Sequence, residues 1–170
     1  YSNLGNKNGV HLKEDGQLTG CIVDTIHQSV SGGTGLVVTD CTIKSMYGSC
    51  IYASDTFSIT NCDLYPRGPS SNIEVTKGIL AWGSGDLNNV TISSTITSSY
   101  MYEGAGLIGI HLKHNAGETV NIVDANIVLS LSTTYDPNET KALRVCGIMS
   151  GSMWGGSNVY YPGDAFVEDS

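Results

Sequence analysis

The stretch Phe57-Ser58-Ile59-Thr60-Asn61-Cys62-Asp63-Leu64 decides how this chain folds. It reads apolar, any, apolar, any, any, small, any, apolar. The same pattern recurs at Leu36, Val38, Cys41 and Ile43, and again at Val120, Ile122, Ala125 and Ile127. A looser copy runs through Val90, Ile92, Thr95 and Thr97, and a final one through Val159, Tyr161, Asp164 and Phe166. Alternation of apolar and polar residues is the period of a strand, in which successive side chains leave on opposite faces. A repeat of strands at regular spacing is the signature of a stacked architecture.

Working outward, each copy follows a short apolar strand. Four of these strands open with glycine, at Gly9-Val10, Gly78-Ile79, Gly109-Ile110 and Gly147-Ile148, while Val30 and Ile51 begin two more without it. The anchors Val10, Val30, Ile51, Ile79, Ile110 and Ile148 are separated by 20, 21, 28, 31 and 38 residues. About 20 residues suffice for three short strands and three turns, so the first coils are minimal and later ones carry insertions. From anchor to pattern the lag is six residues at Val30 and at Ile51, and ten or eleven in the three later copies, which places the insertions at that corner. One coil cannot bury its apolar face alone, but stacking at about 4.8 Å buries a continuous core and pairs the backbone above and below. The expectation is an all-β, right-handed parallel β-helix of about six coils, a rod of roughly 30 Å, spanning residues 1–170 as a single domain.

Composition agrees. The chain has 170 residues, 40% hydrophobic and 14% charged, with 21 glycines, and its apolar positions favour Val and Ile with Thr and Ser between them. Its net charge of −8, with only eight Lys and Arg, argues against a nucleic-acid partner, which needs clustered cations, and against an anionic membrane. No apolar run reaches the roughly 20 residues a membrane span requires. The five cysteines form no CxxC pair, so a zinc site is not expected, and no metal or other cofactor is assigned. Cys41 and Cys62 share one slot in adjacent coils, close enough for a disulfide on geometry, although small interior residues, free cysteine included, commonly fill such columns. The chain opens at Tyr1 and is expected to be a fragment or subunit of a larger protein or assembly.

The pattern resembles that of the pectate-lyase-like right-handed β-helix proteins, whose coils often read Gly-Ile-x-Leu followed by Val-x-Ile-x-x-Cys-x-Ile. Gly109-Ile110-His111-Leu112 and residues 57–64 carry the likeness best, and it extends over roughly residues 9 to 166. The resemblance is specific for architecture rather than activity, since that fold hosts lyases, hydrolases, epimerases, adhesins and phage tail spikes. The Asp-rich constellation of pectate lyases, and the basic residue that follows it, have no clear match here.

Alternation along the first strand sends His11, Lys13, Tyr52, Trp82, His111 and Lys113 outward. In register they form a ladder suited to sugars, with aromatic faces for the apolar side of a pyranose and polar groups for its hydroxyls. A solvated face or a subunit contact is the alternative. Glu14, Asp15, Asp55, Asp86 and Glu118 fall just past the first strand, where acids serve turns as readily as catalysis, and no catalytic residue is assigned. Asn89-Val90-Thr91 and Asn138-Glu139-Thr140 match the N-glycosylation pattern, and Asp164 occupies a slot that is otherwise small. The segments 65–69 and 130–140 read as protruding loops.

The leading expectation is an extracellular or virion segment of tail-spike type that binds host polysaccharide and assembles as a homo-oligomer, a trimer in that family. A secreted polysaccharide lyase or hydrolase, and an adhesin or filament subunit, are the alternatives. An enzyme would release oligosaccharides, and a filament subunit would polymerise end to end.

Overall fold

The computed structural model describes residues 9–68, 73–98, 101–113, 117–133, 144–150 and 164–168. Within them the chain is all-β and its strands pair in parallel. The strands are β1 (Val10–Leu12), β2 (Gln17–Thr19), β3 (Ile22–Thr25), β4 (Val30–Gly32), β5 (Leu36–Thr39), β6 (Thr42–Ser45) and β7 (Ser49–Ala53). There follow β8 (Phe57–Pro66), β9 (Ile73–Ala81), β10 (Gly85–Ser98), β11 (Met101–Leu112), β12 (Thr119–Thr133), β13 (Arg144–Ser150) and β14 (Asp164–Glu168). They form a six-stranded sheet in the order β1-β4-β7-β9-β11-β13 and an eight-stranded sheet running β14-β12-β10-β8-β5-β2, with β3 and β6 continuing it beside β8.

The anchors fall into one register row. Val10 pairs with Val30, Val30 with Ile51, Ile51 with Ile79, Ile79 with Ile110, and Ile110 with Ile148. Val30, Ile51, Ile79 and Ile110 are all fully buried. Opposite them the eight-stranded sheet stacks Leu36 on Phe57, Val38 on Ile59, and Ile43 on Leu64. The two rows meet in one apolar core, and each fully buried Ile or Leu contributes about 1.5–3 kcal/mol relative to exposure.

Close approach of the sheets rests on the residue before each anchor. A Cβ on Gly109 would lie 2.5 Å from the Gly147 carbonyl oxygen and 2.7 Å from Cγ2 of Ile127. At Gly78 and Gly109 the glycine is therefore the space into which an isoleucine of the opposite sheet packs, Ile92 at the first and Ile127 at the second. The earlier strands put Ser29 and Cys50, both fully buried, at the equivalent position.

The bend within the eight-stranded sheet is built by left-handed residues. Gly20, Asp40, Asn61, Asn89 and Asp124 have φ of 64°, 54°, 53°, 51° and 52°, and each stands just before the small slot. Asn and Asp tolerate this region better than other side-chain-bearing residues. Here they also bond one another: Asn61 Nδ2 donates to Asp40 Oδ1 at 3.0 Å, and Asn89 Nδ2 to Asn61 Oδ1 at 2.9 Å. The small slot that follows holds Cys21, Cys41, Cys62, Val90 and Ala125 in succession. All five cysteines are free thiols. Cys41 and Cys62 stack as the pattern predicts, and each donates its S–H to the carbonyl two residues back, at 3.1 Å (Thr39) and 3.3 Å (Thr60).

Two copies of the pattern align differently from expectation. Gly85, Leu87, Val90 and Ile92 pair with Phe57, Ile59, Cys62 and Leu64, so the looser copy begins at Gly85 and not at Val90. Alternation misreads it because a glycine stands in the first apolar slot. In the last copy Asp164 pairs with Thr119 and Ala165 with Val120, so Asp164 is not in the small slot; Val159 and Tyr161 lie outside the described residues.

Insertions are also placed differently. From anchor to pattern the lag is six residues at Ile79 to Gly85, as it is in the earlier copies, and lengthens from Ile110 to Val120 and again from Ile148 to Ala165. Added length gathers instead on the return to the six-stranded sheet. It grows from 8 residues (Ile43 to Ile51) to 15 (Leu64 to Ile79), 18 (Ile92 to Ile110) and 21 (Ile127 to Ile148). Part of that length is strand. Tyr65 and Pro66 close β8, and Ser130 to Thr133 belong to β12, although both segments read as loop; Pro69 and residues 134–140 lie outside the described residues.

Candidate functional site

The outer side of the six-stranded sheet carries the residues that alternation sends outward, in two rows rather than one. His11, Ser31, Tyr52, Leu80, His111 and Met149 form the first. The second lies two residues on. There Trp82 donates its backbone N–H to the Ala53 carbonyl and Lys113 to that of Ala81, each at 2.8 Å, which makes Trp82 and Lys113 neighbours. Lys113 Nζ stands 5.2 Å from the centroid of the Trp82 ring, a cation–π contact on a side chain that remains 40% exposed. Lys13, at the end of β1, is exposed.

The first row is less open than alternation implies. His11 is exposed, and its Nδ1 lies 2.9 Å from Oγ of Ser31, a small side chain buried between His11 and Tyr52. Tyr52 is half-buried. His111 keeps its predicted row but is only 1% exposed, because Gly106 through Leu112 are buried on both faces of β11. An outward direction from the core therefore does not place His111 at the surface. Tyr52, Trp82, Lys113, His11 and Lys13 remain within reach of a ligand.

The acids past the first strand bond side chains of neighbouring layers where their bonds are seen, Asp55 from a turn and Asp86 from within β10. Asp55 Oδ2 accepts from Thr34 Oγ1 at 2.7 Å, and Asp86 Oδ1 from Asn121 Nδ2 at 2.8 Å. Asp15 takes a left-handed φ of 56°. Among the described residues no three His, Cys, Asp or Glu side chains converge as a metal centre needs. Of the two glycosylation patterns, Asn138 lies outside the described residues. Asn89 is exposed, but the nitrogen that would carry a glycan is the one donating to Asn61.

A second surface was not anticipated. On the outer side of the eight-stranded sheet, Thr42, Lys44, Tyr65, Pro66, Arg67 and Ser93–Thr95 line a groove of about 530 Å³. Lys44 and Tyr65 are register partners, with Lys44 Nζ 5.9 Å from the Tyr65 ring centroid. Arg67 pairs with Asp24 on the rim, both side chains substantially exposed at 42% and 52%. Ser94 is buried and donates to the Pro66 carbonyl, fixing the floor. Its signal in the sequence is the residue after the last apolar slot of two successive copies, Ile43-Lys44 and Leu64-Tyr65. Alternation applied to that strand, and not to the first strand alone, would have brought the two together.

A comparison with family models, curated proteins and solved structures finds no match to the chain.

Proposed function

We propose that the chain is a right-handed parallel β-solenoid of about six coils, and that it works as a rigid extracellular segment that binds surface polysaccharide. The in-register anchors and the regular alternation between two parallel sheets support the solenoid. In the tail-spike reading the segment belongs to a virion protein, assembled as a homo-oligomer, and its ligand is a host-surface glycan. The resemblance of residues 57–64 and 109–112 to β-helix repeats supports that assignment.

The observation that carries the binding reading is the Trp82–Lys113 pair. An exposed indole with an ammonium 5.2 Å from its centroid offers an apolar plate for the C–H face of a pyranose beside a donor for its hydroxyls. Tyr52 lies on the same outer side of the sheet, on β7, two strands from β11, which Lys113 follows. Loops on a rigid scaffold commonly tune such specificity. The experiment is binding of host-surface polysaccharide to the parent protein and to Tyr52→Ala and Trp82→Ala, each checked for an unchanged melting temperature. Loss of at least tenfold in affinity is expected for Trp82→Ala. Equal binding by both variants and the parent overturns the reading.

A further inference from the structure

The groove on the eight-stranded sheet faces away from the Trp82–Lys113 pair and differs from it in chemistry. Two of the eight Lys and Arg residues of a chain with net charge −8 line it together with one aromatic ring, Lys44 over the ring of Tyr65 and Arg67 two positions beyond it. We infer that this groove is a second, separate binding site, for a sugar ring bearing an anionic substituent, either a carboxylate or a sulfate ester.

Each part of such a ligand has a counterpart. Tyr65 is half-buried and presents a ring at the base of the groove, the surface that the apolar face of a sugar needs. Thr42, Ser93 and Thr95 supply hydroxyls that both donate and accept, matching the hydroxyls of a sugar. Lys44 offers a mobile point charge, and Arg67 a planar fork that meets a carboxylate or sulfate through two parallel bonds. A volume of about 530 Å³ suits one or two sugar rings.

Asp24 gives the proposal its sharpest consequence. It already holds one terminal nitrogen of Arg67, and that pair is exposed on the rim. A solvated pair of this kind is weak, so an incoming anion competes with Asp24 for the guanidinium rather than being excluded by it. The acid is then a brake on affinity. Removing the acid also raises the local positive potential, so its effect is read on the same probe beside the loss of Lys44 and Arg67.

The test titrates the full chain with three probes: tetragalacturonate, a sulfated carrageenan tetrasaccharide without carboxylates, and neutral maltotetraose. At least one anionic probe is expected to bind tenfold or more tightly than maltotetraose, with affinity falling as salt is added. Which anionic probe is preferred assigns carboxylate or sulfate. Combined Lys44→Gln and Arg67→Gln substitution should weaken that probe at least tenfold, and Asp24→Asn should tighten it severalfold. Trp82→Ala should leave it unchanged, so failure of the groove and failure of the first site are told apart. Anionic probes that bind no better than maltotetraose overturn the inference. So does a double variant that binds as the parent does, or an Asp24→Asn variant that binds no tighter.

Discussion

Phe57 occupies the space that Gly85 leaves open one strand away. A Cβ on Gly85 would lie 2.4 Å from the Phe57 carbonyl oxygen and 2.6 Å from Cδ2 of its ring. Gly85 follows Phe57 in the same register row, so one large side chain takes the volume of two layers. Gly85→Ala should cost about 1–3 kcal/mol through overpacking, read as a lower urea midpoint with an unchanged slope. Gly33→Ala, where nothing lies within 4 Å, is the control and should stay within about 0.5 kcal/mol of the parent.

Asn61 combines a left-handed φ of 53° with a bond to each neighbour in its column. Asn61→Ala loses both bonds and keeps the strained backbone, for an expected loss of about 1–2 kcal/mol. Asn61→Gly loses the bonds but not the conformational fit, and should fall between parent and alanine variant. The order of the three thermal midpoints checks this.

Ser45 is fully buried and its Oγ lies 2.8 Å from the His27 carbonyl oxygen and 2.7 Å from that of Tyr47. The rings of His27 and Tyr47 stack on each other with centroids 5.4 Å apart. Ser45→Ala leaves buried acceptors unmatched and should cost about 1–3 kcal/mol despite the small change in volume. Chemical denaturation measures it, and a change under about 0.5 kcal/mol would show that water replaces the hydroxyl.

Burial pushes the Cys50 thiol from 9.0 up to about 12, and desolvation raises Cys62 to about 11. Their folded-state values lie above those of the unfolded chain, so the folded state holds protons that the unfolded state gives up. That contribution is fully present below about pH 9 and is lost as pH rises toward the folded values. The thiols' contribution should therefore decline above about pH 9, by up to about 1.4 kcal/mol per pH unit for Cys50. Urea midpoints across this range, repeated on Cys50→Ala, check it: the alanine variant should decline less steeply.

Much of the fold is legible in the residues because it rests on rows of like side chains. Val10, Val30, Ile51, Ile79, Ile110 and Ile148 can be picked from the sequence and stand in register as picked. Where a row breaks its own chemistry, alternation fails. Gly85 in an apolar slot shifted one copy by five residues, and the corner carrying most of the added length was misplaced with it. The surface is harder to read. Period two gives a side chain's direction from the strand but not what lies over it, which is why His111 has its expected row and is nonetheless buried. The Lys44–Tyr65 groove escapes for the opposite reason. Its residues obey the repeat, but only pairing across strands, with Arg67 two positions beyond Tyr65, makes them a surface.

The lengthening of the return segments makes the layers unequal. β2 and β3 meet β5 and β6 only over Gln17–Thr19 and Ile22–Thr25, whereas β10 meets β12 from Gly85 to Ser98. In the proposed solenoid, where each layer is held chiefly by its neighbours, the join between layers sets the local opening free energy. Amide protons of β2 and β5 should therefore exchange well before those of β10 and β12. A pulling force along the stack would find its weakest seam among the short strands, so the molecule has a built-in order of failure.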